Sequence, residues 1–195
     1  MYSPVEILHD IQAEAQNCHA CSLRSTCQQV VFGEGNPEAD LMLVGEGPGG
    51  DEDRIGKPFV GAAGQLLDKI LKAAEFEREE VYIANIVKCR PPKNRTPKLD
   101  EMQCCLPWLE AQIAAVQPKI IVCLGSVAAK ALIDVEVKIT RIRGKWSNLH
   151  GMLLMPTFHP SALLRDEQKK RPVWEDFKKV RAAYLSIGLH NERRG

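Results

Sequence analysis

The chain has 195 residues, of which 45% are hydrophobic and 26% charged, and its formal net charge is +1. A chain of this length suits one domain that buries roughly 70% of its unfolded surface, so neither a disulfide nor a metal is needed merely to fold it. No apolar run approaches the ~18–20 residues of a membrane span, and the acidic N-terminus lacks the basic and apolar regions of a signal peptide, so a cytoplasmic protein is expected.

In chain order, Pro4 to Asn17 carries helical periodicity, with Val5, Leu8, Ile11 and Ala15 on one face. Cys18 to Cys27 reads as an irregular, thiol-rich stretch. Leu41–Gly45 is a short apolar run ending in glycine, the pattern of a buried strand. A glycine-rich stretch to Gly64 follows, then a helix over Gln65–Phe76. Val81–Asn85 predicts a second strand, opening onto the loop CRPPKNRTPK. Leu99–Val116 predicts a helix despite Pro107, Lys119–Gly125 a third strand and Ser126–Asp134 a short helix. Met152–Thr157 predicts a fourth strand and Val173–Ile187 a closing helix, with fraying expected over the final HNERRG.

Strands alternating with helices argue for an α/β/α sandwich of three layers, with a central four-stranded parallel sheet covered on both faces. Ligands of such sheets bind beyond the carboxyl ends of the strands. The segments Gly45–Gly49, Asn85–Arg90, Gly125–Ser126 and His159–Arg165 each follow a strand and meet at that edge.

Charge is segregated. Lys88, Arg90, Lys93, Arg95 and Lys98 follow one another without an acid, as do Lys138, Arg141, Arg143 and Lys145. Such basic loops suit nucleic-acid backbone, or are simply solvated. Seven cysteines make an odd count for a disulfide scaffold. Cys18 and Cys21 form a C-x-x-C pair that turns two sulfurs to one side, and Cys89, Cys104, Cys105 and Cys123 lie downstream. Iron–sulfur and tetrahedral zinc are both open for this set. Cys27 has no evident role, and Cys123 sits in an apolar strand as a packing residue.

Three motifs carry chemistry. GEGPGGDEDRIGKPFVGAAG, Gly45–Gly64, is neither a Walker A loop nor a dinucleotide fingerprint. Its glycines admit close approach of a ligand, and Phe59 is placed to stack on a flat ring. Asn85 ends a strand with an amide that both donates and accepts, so it can satisfy an adjacent carbonyl and N–H on the edge of a ligand ring together. The proline-rich basic loop behind it suits phosphates. In TFHPSALLR, His159 follows a strand directly, and the Leu163–Leu164 pair suits a wedge pushed into a base stack.

These segments, GEGPGGDEDRIGKPFVGAAG, NIVKCRPPKNRTP and HPSALLR, together with the lead-in VVFGEGNPEADLMLVGEGPG, resemble the signature segments of the family 4 uracil-DNA glycosylases from Cys18 to about Arg165. The resemblance implies a single glycosylase domain over 1–195 that hydrolyses the N-glycosidic bond of uracil in single- or double-stranded DNA as a monomer. It implies a [4Fe–4S] cluster on Cys18, Cys21, Cys89 and Cys105, tying the N-terminal segment to the proline-rich loop. Cys105 is preferred over Cys104 on spacing. Phe59 stacks on the extruded uracil, Asn85 reads its polar edge and His159 hydrogen-bonds its O2. Glu46, Gly47 and Glu52 line the pocket near the water and the sugar. Pro91, Pro92, Gly125, Ser126, Ser161, Leu163 and Arg165 contact DNA, with Leu163 filling the gap left by the flipped nucleotide. The basic, His-containing insertion of the covalently cross-linking relatives is absent from the proline-rich loop, which implies free turnover. Many related glycosylases carry an Asp where this chain has Gly47, so the water-activating residue stays open among Glu46, Glu52 and Asp53. A non-catalytic DNA-binding module and an iron–sulfur electron carrier are the competing classes.

Overall fold

The structure is a computed structural model that describes residues 2–192, with side chains to 188. The first helix, α1 (Pro4–Gln16), starts where sequence reasoning places it. Pro4 fills the first turn, the Glu6 N–H donates to Ser3 Oγ at 3.3 Å, and the Ser3 N–H donates back to Glu6 Oε2 at 2.8 Å. Six strands follow: β1 (Glu34–Gly35), β2 (Leu41–Gly45), β3 (Tyr82–Asn85), β4 (Ile120–Leu124), β5 (Ser147–Leu149) and β6 (Met152–Thr157). They form one sheet in the order β1-β3-β2-β4-β6-β5.

The expected four-stranded sheet is therefore corrected to six strands. β3, β2, β4 and β6 pair in parallel, while β1 and β5 add antiparallel edges. The edges escaped the sequence reading because they are two and three residues long, too short for a period-2 pattern to register. β5 turns into β6 through His150 and Gly151, both at positive φ (49° and 91°), the backbone signature of a tight hairpin turn.

Helices α2 (Gly50–Ile55), α3 (Ala62–Ala73), α4 (Leu99–Val116), α5 (Ser126–Leu132), α6 (Ile139–Ile142), α7 (Pro160–Arg165) and α8 (Lys170–Glu192) complete the fold. Alternation along the strands divides the core in two. Met42, Val44, Ala84, Ile121 and Cys123 face Leu8 of α1, Leu109 and Ile113 of α4, and Val127 of α5. Leu41, Leu43, Ile83, Val122 and Met155 face Leu67 and Leu71 of α3, and Phe177 and Val180 of α8. β2 and β4 are buried along their whole lengths, as strands covered on both faces must be. α4 runs on through Pro107 and stops at Gln117, which takes a left-handed conformation. α8 starts three residues before the expected Val173 and extends to Glu192, and the remainder of the C-terminal tail lies outside the described residues. Among the described residues no helix is long and apolar enough to cross a membrane.

Candidate active site

Four loops meet beyond the carboxyl ends of β2, β3, β4 and β6 and enclose a cavity of about 570 Å³. Glu46, Gly47, Glu52, Phe59, Asn85, Pro91, Gly125, Ser126, His159, Ser161 and Arg165 all line it. The same wall includes Asn94, Thr96, Ile139 and Phe158, which sequence reasoning did not single out, and Arg95, which it named only as part of a basic run. Phe158 was reachable, since it adjoins His159. Ile139 was not, because α6 reaches the cavity only through tertiary packing.

Two glycines make the convergence possible. A Cβ on Gly45 would lie 2.6 Å from Phe59 Cζ and would also strike Asn85 Oδ1, so this glycine lets ring and amide close over one strand end. Gly125 has φ 93°, and a Cβ there would lie 2.9 Å from His159 Cβ. Phe59 itself sits at φ 52°, a region costly for a non-glycine residue. It is held there by Glu52, whose Oε1 accepts from the N–H groups of Val60 (3.0 Å) and Gly61 (2.8 Å) and whose Oε2 accepts from the Gly49 N–H (3.1 Å).

That bonding corrects one expectation. Glu52 lines the cavity, but its Oε1 is committed to the loop that presents Phe59 and its Oε2 to the Gly49 N–H that caps α2, so both oxygens brace backbone and neither is free to act as a base. Asp53 is buried and accepts from the Gln28 N–H at 2.8 Å, again away from the cavity. Asp51 also lines the cavity, but it is exposed and paired with Arg54 at 3.3 Å, which leaves Glu46 as the half-buried, unpaired carboxylate of the wall. Burial raises its pKa, and Arg165 opposes the rise. Gly47 adds no side chain, and a Cβ there would lie 2.6 Å from Val87 Cγ2, so the position has no room for a carboxylate without rearrangement.

The rings of Phe59 and His159 stand 5.6 Å apart at 30°. Asn85 is buried, and its Oδ1 has no hydrogen-bond partner. A buried acceptor without a partner is unusual, and this one belongs to a side chain on the cavity wall. The Nδ1 of His159 accepts from the Ser161 N–H at 3.1 Å and lies 2.9 Å from Ser161 Oγ. A backbone N–H can only donate, so Nδ1 carries no proton and the neutral ring keeps its hydrogen on Nε2. Burial, reinforced by Arg165 and opposed by Glu52, pushes the imidazole pKa down to about 4. The site thus offers a flat aromatic face, an acceptor awaiting a donor, and a neutral N–H donor.

One of the expected DNA contacts is overturned. Leu163 is 1% exposed and packs with Pro160 on the inner face of α7, inside the cluster that contains Leu67 and Phe177. Leu164, one residue on and therefore about a third of a turn around the helix, is 52% exposed. Pro92 is exposed, opens a single 3-10 turn and does not itself line the cavity, whereas Pro91 is buried in its wall.

The basic runs are also less free than their sequence suggests. Arg95 forms a fork on Glu101 at 2.6 and 2.8 Å, and Glu101 also accepts from Ser22 Oγ and the Lys98 N–H. This bonding, Arg95 first, holds the Glu101 carboxyl down to about 2. Arg143 is turned inward onto Asp176, which accepts from Thr157 Oγ1 at 2.6 Å. Lys93, Lys98, Lys138, Arg141 and Lys145 remain exposed.

A second, smaller cavity is lined by Cys18, Cys21, Cys89, Cys104 and Cys105 with Ala15, Leu23, Val30 and Trp108. Cys89 and Cys105 are buried and Cys104 is exposed. The Lys88 N–H donates to Cys105 Sγ at 3.2 Å, and Trp108 Nε1–H to Cys18 Sγ at 3.4 Å. Among the described residues no three His, Cys, Asp or Glu side chains are already gathered around a single-ion position. The donor set is nonetheless all sulfur, convergent, apolar in its surroundings and supplied with N–H donors, which fits a thiolate-bound iron–sulfur group. Cys123 is buried in β4, in keeping with packing.

The uracil DNA glycosylase superfamily profile matches residues 32–178. A type-4 uracil-DNA glycosylase of Thermotoga maritima is 44% identical over 188 residues, covering 93% of this chain and 97% of the relative. Type-4 uracil-DNA glycosylases of Sulfurisphaera tokodaii (42% identical, 91% of this chain, 84% of the relative) and Archaeoglobus fulgidus (41%, 90% and 92%) are similar over nearly the same span. The matched span holds all four cavity loops, and the chain therefore belongs to the uracil DNA glycosylase superfamily, within its type-4 branch.

Proposed function

We propose that this protein hydrolyses the N-glycosidic bond of uracil in DNA and releases free uracil, leaving an abasic site for base excision repair. The observation that carries the reading is the unpartnered Asn85 Oδ1 beside the Phe59 ring and the neutral His159 donor. Uracil presents N3–H and O4 side by side, so the Asn85 amide accepts from the first and donates to the second. Cytosine offers an unprotonated N3 and an amino group there, which leaves two buried groups facing like partners.

A stacked base cannot reach this cavity, so the nucleotide is extruded at a cost of a few kcal/mol, least for a mispaired or single-stranded base. The flipped ring stacks on Phe59. As the N1–C1′ bond stretches, negative charge moves onto the uracil and positive charge onto the sugar. His159 Nε2–H donates to O2, where the negative charge gathers. Glu46 orients a water toward C1′ and accepts its proton as the new C–O bond forms. The electron pair of the broken bond leaves with uracil. Glu46 also places a negative charge near the cationic sugar.

Backbone phosphates are held by the Gly125–Ser126 turn, by Ser161 and by Arg165, with the Pro91–Pro92 loop against the strand. Leu164 enters the gap left by the flipped nucleotide. Cys18, Cys21, Cys89 and Cys105 hold the [4Fe–4S] group, which supplies a rigid link between the N-terminal segment, the proline-rich loop and α4. The protein acts as one domain, as a monomer, on cytoplasmic DNA.

The test is release of free uracil from single- and double-stranded oligonucleotides carrying uracil, hypoxanthine or thymine, with wild type and Asn85→Ala side by side. Uracil release by wild type, and its collapse in Asn85→Ala, is the expected result. A colourless preparation with stoichiometric zinc would sink the iron–sulfur reading and leave the glycosylase reading standing.

A further inference from the structure

Lys88 is the least expected side chain of the core. It is 1% exposed and follows Asn85 by three residues, just beyond the end of β3. Its Nζ donates to the Asn85 backbone carbonyl at 2.8 Å and to Gln112 Oε1 at 2.5 Å. Gln112, on α4, is fully buried too, and its Nε2 donates to the Phe32 carbonyl at 2.9 Å and to Tyr82 Oη at 3.2 Å. Burying an amine this deeply costs free energy that an apolar residue of equal length would spare. Packing alone therefore does not account for it. What the amine reaches, and an apolar side chain would not, is the carbonyl of Asn85.

We infer that Lys88 is a positioning residue for uracil recognition, bracing the Asn85 backbone against α4 so that the Asn85 amide is held at the edge of the flipped base. The inference rests on reading Asn85 as the residue that meets that edge. Asn85 is the last residue of β3 and pairs with Gly45; the Ile86 and Val87 N–H groups beyond it still donate to β2 and its loop, while the Asn85 carbonyl accepts from Lys88 Nζ. A side chain with a short polar reach transmits any backbone shift directly to its amide. Lys88 supplies a tether at that point, and Gln112 fixes the tether to α4, which packs against α1 and β3. The Lys88 N–H also donates to Cys105 Sγ at 3.2 Å, so the brace stands at the junction between the thiol-lined cavity and the uracil pocket.

The experiment compares wild type, Lys88→Met, Gln112→Leu, Asn85→Ala and the double variant Lys88→Met/Asn85→Ala by three readouts. These are the single-turnover rate of uracil release, inhibition by free uracil, and binding to DNA carrying a tetrahydrofuran residue, which has no base to read. Lys88→Met should slow uracil release by about 10–100-fold, the scale of an ångström misplacement in a reacting site. It should weaken inhibition by free uracil and leave tetrahydrofuran-DNA binding within about twofold. In the Asn85→Ala background the same change should add little, because the two residues act as one unit. Should Lys88→Met fail to fold, Gln112→Leu keeps the lysine and removes its anchor, and the same pattern is expected at smaller size. Unchanged inhibition by free uracil in these variants, or losses that multiply fully in the double variant, would overturn the inference. Wild-type behaviour of Asn85→Ala alone would overturn the reading of Asn85, and the inference with it.

Discussion

Replacing His159 by alanine removes a single neutral hydrogen-bond donor, and the structure sets what that should cost. The Ser161 N–H fixes the tautomer by donating to Nδ1 at 3.1 Å, so Nε2 already carries the proton that the proposed mechanism has it offer to the leaving oxygen. Loss of one preorganised donor to a developing oxyanion costs roughly 3–4 kcal/mol, or 10²–10³ in rate. His159→Ala should accordingly lower the single-turnover rate by that factor while leaving affinity for tetrahydrofuran-DNA nearly unchanged. The pH dependence adds a second, independent check. With the imidazole pKa near 4 rather than 6.5, about one molecule in a thousand carries the cation at pH 7. The wild-type rate should therefore show no titration between pH 6 and 7 that vanishes in His159→Ala. An unchanged single-turnover rate in the variant, or a histidine-dependent limb near pH 6.5, would refute the reasoning.

Other expectations follow from the same geometry. In the proposed mechanism Glu46 orients water as a carboxylate, and burial raises its pKa, so the wild-type rate should fall as pH drops through a value above the ordinary carboxylate value of about 4.5, and Glu46→Gln should be slow and flat there. Leu163→Ala should cost about 2–4 kcal/mol in stability by cavity formation, measured by thermal unfolding, with little specific effect on DNA. Leu164→Ala should do the reverse, leaving stability within about 0.5 kcal/mol and slowing excision from duplex more than from single strands. Glu101 has a folded-state pKa near 2, below its unfolded value of about 4.5, so its contribution is complete above pH 4.5 and is lost as pH falls toward 2. Glu101→Gln should lower the melting temperature at pH 7, and the gap to wild type should narrow at pH 3.

The sequence exposes the pocket more clearly than its supports. Asn85 and His159 are legible because each stands directly after an apolar strand, where α/β sheets bind ligands, and Phe59 because it lies in a glycine-rich stretch of the same edge. The supports are hidden because they are charged residues in polar surroundings of sequence. Lys88 and Arg95 read as part of a basic run, yet one holds the Asn85 carbonyl and the other is forked on Glu101. Arg143 reads as one of a basic run suited to nucleic-acid backbone or simply solvated, yet it turns to Asp176, which accepts from Thr157 two residues before His159. Glu52 reads as a candidate base, yet it holds Val60 and Gly61 so that Phe59 keeps its strained backbone. Which of Leu163 and Leu164 faces outward depends on the rotation of one short helix against α3, a tertiary fact that no local pattern contains.

Beneath Asn85, Phe59 and His159, then, lies an internally bonded ionisable side chain: Lys88, Glu52 and Asp176 in turn. Loops that carry function are usually mobile, and a binding constellation must hold its geometry to a fraction of an ångström. Buried hydrogen-bonded charges fix such loops in one arrangement where apolar contacts would leave several of similar energy.

The most direct measurement is a crystal structure of the protein with free uracil bound. The ring should lie against Phe59, with the Asn85 amide within hydrogen-bond distance of N3 and O4 and His159 Nε2 within hydrogen-bond distance of O2. Uracil lodged elsewhere, or held in this cavity with any of those three side chains out of reach, would contradict the account.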